Sequence, residues 1–279
     1  MLQVITGPGG AVGQALAADP RPRKISFTGS MDVGLRIAQA AGLKRLSLEL
    51  GSNSPMVVLP DADIEEVAKL VAYGGYANAG QVCISLQRAI VAREIYGDFL
   101  DAAKAEVEKI KVGSPREEGV GMAAMIEEKE AERVEAWVGE ATAAGAKVVT
   151  GGSRDGGVYA PTLVADAKPD MKVMCGELFG PVVAATPAAD IDEALALAND
   201  SDYGLSASVY TKDYASAMRF ARDCEAGNVH INWSTQWRAD FMPYGGLKGS
   251  GIGKEGMRSA CLEMTEEKTV VFHGLPPAA

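Results

Sequence analysis

Two side chains in this sequence combine a reactive type with a setting that can use it. Cys83 stands in Gly80-Gln81-Val82-Cys83-Ile84-Ser85, directly after an apolar helical stretch that runs out near Ala77-Asn78-Ala79. A thiol in a loop beside a helix end becomes a nucleophile when it ionises, and sulfur both attacks and leaves readily in acyl transfer. That setting is expected to favour its thiolate, so that alkylation falls on Cys83 before Cys175, Cys224 or Cys261. Glu49 lies at the end of the apolar run Leu46-Ser47-Leu48-Glu49-Leu50. Low polarity there raises a carboxyl pKa toward the range that general-base work requires. Taken singly, a cysteine is also an ordinary small core residue, and a strand-end acid is also an ordinary solvated or ion-paired one.

Other segments carry weaker signals. Gly29-Ser30 lies between a strand and a helix, where the first N–H groups of the helix suit a phosphate or simply receive an N-cap. Gly7, Gly9 and Gly13 do not spell the GxGxxG fingerprint and mark only a turn before a helix. The cysteines show no CxxC pairing, and His230 and His273 are the two histidines, so no metal-site spacing appears. With neither His near a motif, a plain cysteine hydrolase is disfavoured.

Five blocks appear in order: Phe27-Thr28-Gly29-Ser30, Leu48-Glu49-Leu50-Gly51, the Cys83 loop, Glu177-Leu178-Phe179-Gly180-Pro181, and Pro243-Tyr244-Gly245-Gly246-Leu247-Lys248 with Ser250-Gly251. Together they resemble the signature blocks of the NAD(P)-dependent aldehyde dehydrogenase superfamily, and the separation of Glu49 from Cys83 fits that family too. The resemblance implies an oxidoreductase that turns an aldehyde into a carboxylate. Cys83 forms a thiohemiacetal, hydride passes to NAD or NADP, and Glu49 activates the water that hydrolyses the thioester. It further implies that Gly29, Ser30, Leu50, Gly51, Glu177 and Phe179 bind the cofactor, the last two at the nicotinamide ribose and ring. Trp233, Trp237 and Arg238 fall in the loop that shapes the substrate tunnel, and the arginine suits a small polar or anionic aldehyde. Gly176 departs from the family, many members of which carry an acid there.

The family's oxyanion Asn, its adenine-ribose Lys and most of its cofactor sheet are expected upstream of this sequence. The alternative reading is therefore a truncated homologue with weak or no dehydrogenase activity, acting as a thiol esterase or as a non-catalytic partner subunit.

The elements that must position these residues alternate as an α/β protein. Apolar periodicity predicts strands at 1–5, 24–29, 46–50, 56–59, 89–92, 147–149, 182–185, 207–210 and 228–232. Helices are expected over 11–18, from Ser30 with Val33, Ile37 and Ala41 on one face, from Asp61 or Asp63 through Val71, and over 96–110, 126–144, 191–198 and 214–224. Gly151 to Gly157 reads as a flexible turn. The fold expected from the resemblance is aldehyde-dehydrogenase-like, with a partial dinucleotide-binding lobe at 1–49 and a complete catalytic lobe at 50–245. A returning tail follows at 246–279, its run Lys268-Thr269-Val270-Val271-Phe272 serving as an oligomerisation strand that Pro276-Pro277 ends.

Composition narrows the partners. A formal charge of −10 over 279 residues opposes nucleic acid and anionic membrane surfaces. No apolar run reaches spanning length and no signal peptide is evident, so a cytoplasmic, homo-oligomeric protein is expected.

Overall fold

The computed structural model describes residues 2–274. The chain begins with α1 (Gly9–Ala18), β1 (Lys24–Thr28), α2 (Met31–Ala41) and β2 (Arg45–Glu49), in which β1 and β2 pair in parallel. It continues as β3 (Pro55–Val58), α3 (Ile64–Tyr76), β4 (Arg88–Ala92), α4 (Tyr96–Val107), α5 (Glu128–Ala143) and β5 (Lys147–Thr150). A small hairpin of β6 (Arg154–Asp155) and β7 (Val158–Tyr159) precedes β8 (Thr162–Ala165), α6 (Lys172–Cys175), β9 (Val182–Ala188) and α7 (Ile191–Asn199). The remainder is β10 (Tyr203–Gly204), β11 (Ser206–Tyr210), α8 (Tyr214–Asp223), β12 (Asn228–Ile231), β13 (Leu247–Lys248), β14 (Gly251–Ile252) and α9 (Met257–Glu263).

The main sheet has seven strands in the order β12-β11-β3-β4-β9-β8-β5, parallel except for β5. Every residue of β3, β4, β8 and β11 is buried, as expected for strands covered on both faces. Alternation along the strands divides the core. Met56, Val58, Ala89 and Val91 face α3, α4 and α5, whereas Val57, Ile90, Ala207 and Val209 face α7 and α8. Each fully buried Val or Ile contributes about 1.5–3 kcal/mol of transfer free energy. Asp63, Asp190 and Asp213 cap α3, α7 and α8 by accepting from first-turn N–H groups.

A smaller sheet in the order β1-β2-β14 stands beside the main one, with β14 returning antiparallel to β2. Glu49 is the last residue of β2, and Gly51 to Ser54 lead straight into β3. The carboxyl end of the small sheet thus meets the amino ends of the main sheet's strands.

Several expectations need correction. Residues 2–6 form no strand, and Leu2, Val4 and Ile5 are exposed; Met1 lies outside the described residues. Residues 268–272 form no strand either, with Val270, Val271 and Phe272 exposed, while Pro276 and Pro277 lie outside the described residues. A β-branched run becomes a strand only where a ladder partner accepts its backbone groups, and among the described residues neither run is part of a ladder. Val33 faces outward, whereas Ala41 is buried as expected, together with Gly34. The turn at 151–157 contains half of the small hairpin.

One buried cation locks this junction. Arg88, at the start of β4, is 2 % exposed and has no carboxylate partner among the described residues; Nε donates to Asn53 O at 2.8 Å, Nη1 to Leu197 O at 2.8 Å and Nη2 to Ala198 O at 2.9 Å. Burial draws its pKa down to about 10. It thereby ties the segment leading into β3 to the carboxyl end of α7, where carbonyls attract positive charge. Arg88→Met keeps the apolar stem and orphans three carbonyls, so stability is expected to fall by about 3 kcal/mol. Urea unfolding should show a lower midpoint at unchanged slope; an unmoved midpoint would mean that the carbonyls find other partners.

Candidate active site

A cavity of about 720 Å³ opens at the junction of the two sheets. Thr28, Gly29, Ser30, Glu49, Leu50 and Gly51 line it from the small sheet and α2. Gln81, Val82 and Cys83 come from the loop before β4, Glu130, Arg133 and Trp137 from α5, and Glu177 and Phe179 from the segment before β9. The two residues singled out for chemistry therefore share one cavity with all six expected to bind cofactor.

The Cys83 loop is delivered by a sharp reversal. α3 stops at Tyr76, and Asn78, Ala79 and Gly80 take left-handed angles with φ of 53°, 54° and 69°. Two consecutive non-glycine residues in that region store strain of the kind that concentrates at functional sites. Gly80 is obligatory twice over, because a Cβ there would sit 2.0 Å from the Gly180 carbonyl oxygen. The close approach seats the Cys83 loop against the Glu177–Pro181 segment. Side chains then fix both. Thr235 Oγ1 donates to Ile84 O at 2.8 Å, Gln87 Oε1 accepts from Leu178 N at 3.0 Å, and Arg133 Nη2 donates to Leu178 O at 2.8 Å. Phe179 holds a left-handed φ of 48° at the cavity wall.

The Leu50-Gly51 segment is held from the glycine-rich block. Leu50 N donates to Ser250 O at 2.9 Å, and the fully buried Ser250 Oγ donates to Gly51 O at 2.6 Å while accepting from Gly204 N at 2.9 Å. A Cβ on Gly51 would lie 2.2 Å from Glu177 Oε2, so the carboxylate rests on bare backbone; Glu177 Oε1 accepts from Ser52 N at 3.1 Å.

The electrostatics favour protonated groups. Burial, with Glu255 nearby, pushes Glu49 up to about 7 against the pull of Lys254 and Arg238, and its buried Oε2 has no partner. Burial raises Cys83 as well; the hydrogen bond with Tyr244, whose OH is 3.4 Å from Sγ, opposes this, and Glu49 and Glu177 add to it. This corrects the expected thiolate. The helix end before Cys83 is a carboxyl end, which repels an anion, and Cys175 and Cys261 are more exposed to an alkylating reagent. Glu177 is raised by burial, with Ser52 N and Arg133 pulling down.

Trp233, Trp237 and Arg238 do not line this cavity. The tryptophans are half-exposed, and Trp237 meets His230 edge-on at 6.2 Å. Arg238 is not free for an anion: it pairs with Glu255 at 2.8 Å and lies 4.2 Å over the Tyr244 ring. Conversely, Glu130, Arg133 and Trp137 of α5 line the cavity although none was singled out from the sequence. Arg133 pairs with Glu130 at 2.9 Å and stacks 5.2 Å over Trp137, a pairing that the i,i+4 spacing of Arg and Trp could have signalled. Among the described residues, no group of three or more His, Cys, Asp or Glu could hold a metal ion, and no helix is long and apolar enough to cross a membrane.

The titration of Glu49 has a measurable sign. Its folded pKa lies above that of an unfolded glutamate, so its contribution to stability is intact below about pH 4.5 and is lost as pH rises through about 7. Glu49→Gln removes the ionising group. It is expected to leave stability nearly unchanged near pH 5 but to raise it by up to about 3 kcal/mol above pH 8. Urea unfolding at both pH values tests this, and an equal effect at both would show that Glu49 does not titrate in this range.

The geometry agrees with comparisons to known proteins. Residues 1–270 match the aldehyde dehydrogenase family. The chain is 47% identical over 272 residues to a 3-sulfolactaldehyde dehydrogenase of Priestia aryabhattai, covering 98% of this chain and 57% of the relative. It is 38% identical to a lactaldehyde dehydrogenase of Methanococcus aeolicus, covering 98% and 58%. Among solved structures, an NAD-dependent aldehyde dehydrogenase of Sinorhizobium meliloti superposes with a TM-score of 0.94 at 38% identity, covering 98% of this chain and 56% of that one. A glyceraldehyde-3-phosphate dehydrogenase of Methanocaldococcus jannaschii complexed with NADP does so at 0.91 and 36%, covering 93% and 57%. The chain thus spans somewhat more than half the length of the relatives it matches. On fold, motif order and sequence together, it belongs to the aldehyde dehydrogenase family.

Proposed function

We propose that this site oxidises a small polar or anionic aldehyde to its carboxylate, with NAD or NADP as hydride acceptor. The observation that carries this reading is the single cavity shared by Cys83, Glu49, Glu177 and the amino end of α2. In this reading the Cys83 thiolate attacks the aldehyde carbon. After hydride has left, Glu49 takes a proton from the water that cleaves the resulting thioester. A carboxyl poised near 7 suits that task, since it accepts a proton at neutral pH and holds it weakly enough to return it.

The residues present fit a dinucleotide. Ser30 leaves the first-turn N–H groups of α2 without a side-chain cap, open to a phosphate, and Gly29 and Gly51 keep the adjoining backbone bare. Leu50, packed against Gly34 of α2, and Phe179 offer apolar wall, and Glu177 offers a carboxylate to ribose hydroxyls. When bound, the nicotinamide supplies the hydride acceptor. The substrate class rests on relatives named for sulfolactaldehyde and lactaldehyde, both small and polar. In this reading the half-exposed Trp233 and Trp237, which do not line the cavity, are the side chains through which their loop shapes substrate access. With Arg238 committed to Glu255, an anionic substrate has to compete for that cation. The exposed Val270, Val271 and Phe272 support assembly of several copies through the tail.

The test uses the 279-residue chain with NAD or NADP and a panel of small aldehydes, beside Cys83→Ala and Glu49→Gln. Aldehyde-dependent NAD(P)H formation is expected to vanish in Cys83→Ala. Glu49→Gln should slow steady turnover by about 10²-fold or more while sparing the first turnover. Cys83-dependent hydrolysis of an activated ester without any hydride transfer would replace this reading with that of a thiol esterase.

A further inference from the structure

We propose that the Tyr244 hydroxyl is a catalytic hydrogen-bond donor to the Cys83 thiolate, held on the sulfur by a brace of Arg238 and Glu255. The inference deepens the proposed function and rests on Cys83 being its nucleophile.

The contact is built. Tyr244 is 4 % exposed, its ring packs with Ile84 and Leu205, and its OH lies 3.4 Å from Cys83 Sγ. In the neutral pair either group can donate, but once sulfur ionises only the phenol has a proton to give. Few other groups support the anion. Glu49 and Glu177 face it with like charge, and the cations nearby are engaged elsewhere, Lys254 on Gly245 O, Arg133 on Glu130 and Arg238 on Glu255. Tyr244 therefore meets the need that this cavity creates, a side-chain donor that stabilises negative charge on sulfur.

Glu255 holds the tyrosine at both ends. Its backbone exchanges two hydrogen bonds with that of Tyr244, and its carboxylate pairs with Arg238, whose guanidinium lies 4.2 Å over the ring. A cation on the ring face draws electron density from the phenol and makes its O–H a better donor. On ionisation the Cys83 S–H bond breaks and the proton passes to cavity water, while the Tyr244 O–H bond stays intact. When sulfur attacks a carbonyl carbon, its electron pair becomes the C–S bond and the carbonyl π pair moves to oxygen. The sulfur loses its charge, and the hydroxyl is released from it.

The test is the pH dependence of iodoacetamide labelling at Cys83, resolved from Cys175 and Cys261 by peptide mass spectrometry. It compares the native chain, Tyr244→Phe, and a chain with difluorotyrosine at 244, whose phenol donates more strongly. Tyr244→Phe is expected to move the midpoint up by about one unit, roughly a tenfold loss of thiolate at a fixed lower pH, and difluorotyrosine to move it down. Should the Phe variant fail to fold, the difluorotyrosine chain decides alone. Superimposable profiles overturn the proposal. Aldehyde oxidation that survives Cys83→Ala overturns the proposed nucleophile instead, a result that the labelling profile neither mimics nor hides.

Discussion

The structure depends on satisfying backbone groups where parallel strands begin. At the amino ends of β3, β4 and β9 the ladder has not yet started, so the buried N–H and C=O groups of the incoming segments need other partners. Side chains supply them: Arg88 takes the carbonyls of Asn53, Leu197 and Ala198, Gln87 takes Leu178 N, Asn53 Nδ2 takes Met174 O, and Ser250 takes Gly51 O. Each of these bonds joins segments distant in sequence. The same bonds that remove a desolvation penalty also bring Glu49, Cys83 and Glu177 into one cavity, so the stability and the geometry of the site have a common origin.

This arrangement sets the electrostatics. Polar groups are spent on backbone and cations on acids or carbonyls, which leaves the cavity poor in free positive charge. Burial and mutual repulsion then dominate, and Cys83, Glu49 and Glu177 all shift toward their neutral forms. A site of this kind favours the neutral form of each group over what it would show in water. Its reactivity is set by small local terms, such as the Tyr244 contact and the competing pulls of Lys254 and Arg238 on Glu49, rather than by one large field.

The legible parts of the protein were those encoded locally. The αβ alternation followed from apolar periodicity, and Glu49 stood out as the acid that ends an apolar run, whereas Leu50 and Gly51 were marked only by the family resemblance. What escaped was set by distant partners. Val4-Ile5 and Val270-Val271 have strand composition, but a strand also needs a ladder. β8 escaped because Thr162–Ala165 is short and is completed by β9 and β5 on either side. Arg238 read as a free cation because nothing near it in sequence announces Glu255. Arg133 of α5 escaped because its partners, Leu178 O and the cavity wall, lie far away in sequence.

The division of labour within the cavity follows from where the backbone has freedom left. On the Cys83 side there is little: Gly80 touches Gly180 backbone to backbone, Asn78 and Ala79 are left-handed, and Thr235, Gln87 and Arg133 pin the neighbouring carbonyls and amides. A side-chain change there must move several segments together, and close packing resists this. The segment from Trp233 to Met242 is different. Ser234 and Thr235 anchor its start with no exposure, and Tyr244 anchors its end, yet Trp233 beside the first anchor and Trp237 and Phe241 beyond it remain 46%, 48% and 77% exposed. The exposed Trp233, Trp237 and Phe241 can therefore change with little effect on the packing around Cys83, whereas Arg238 in the same loop is held by Glu255 over the Tyr244 ring. In the proposed reading, differences in substrate are therefore most cheaply written in those exposed side chains, while the chemistry stays with the pinned segments.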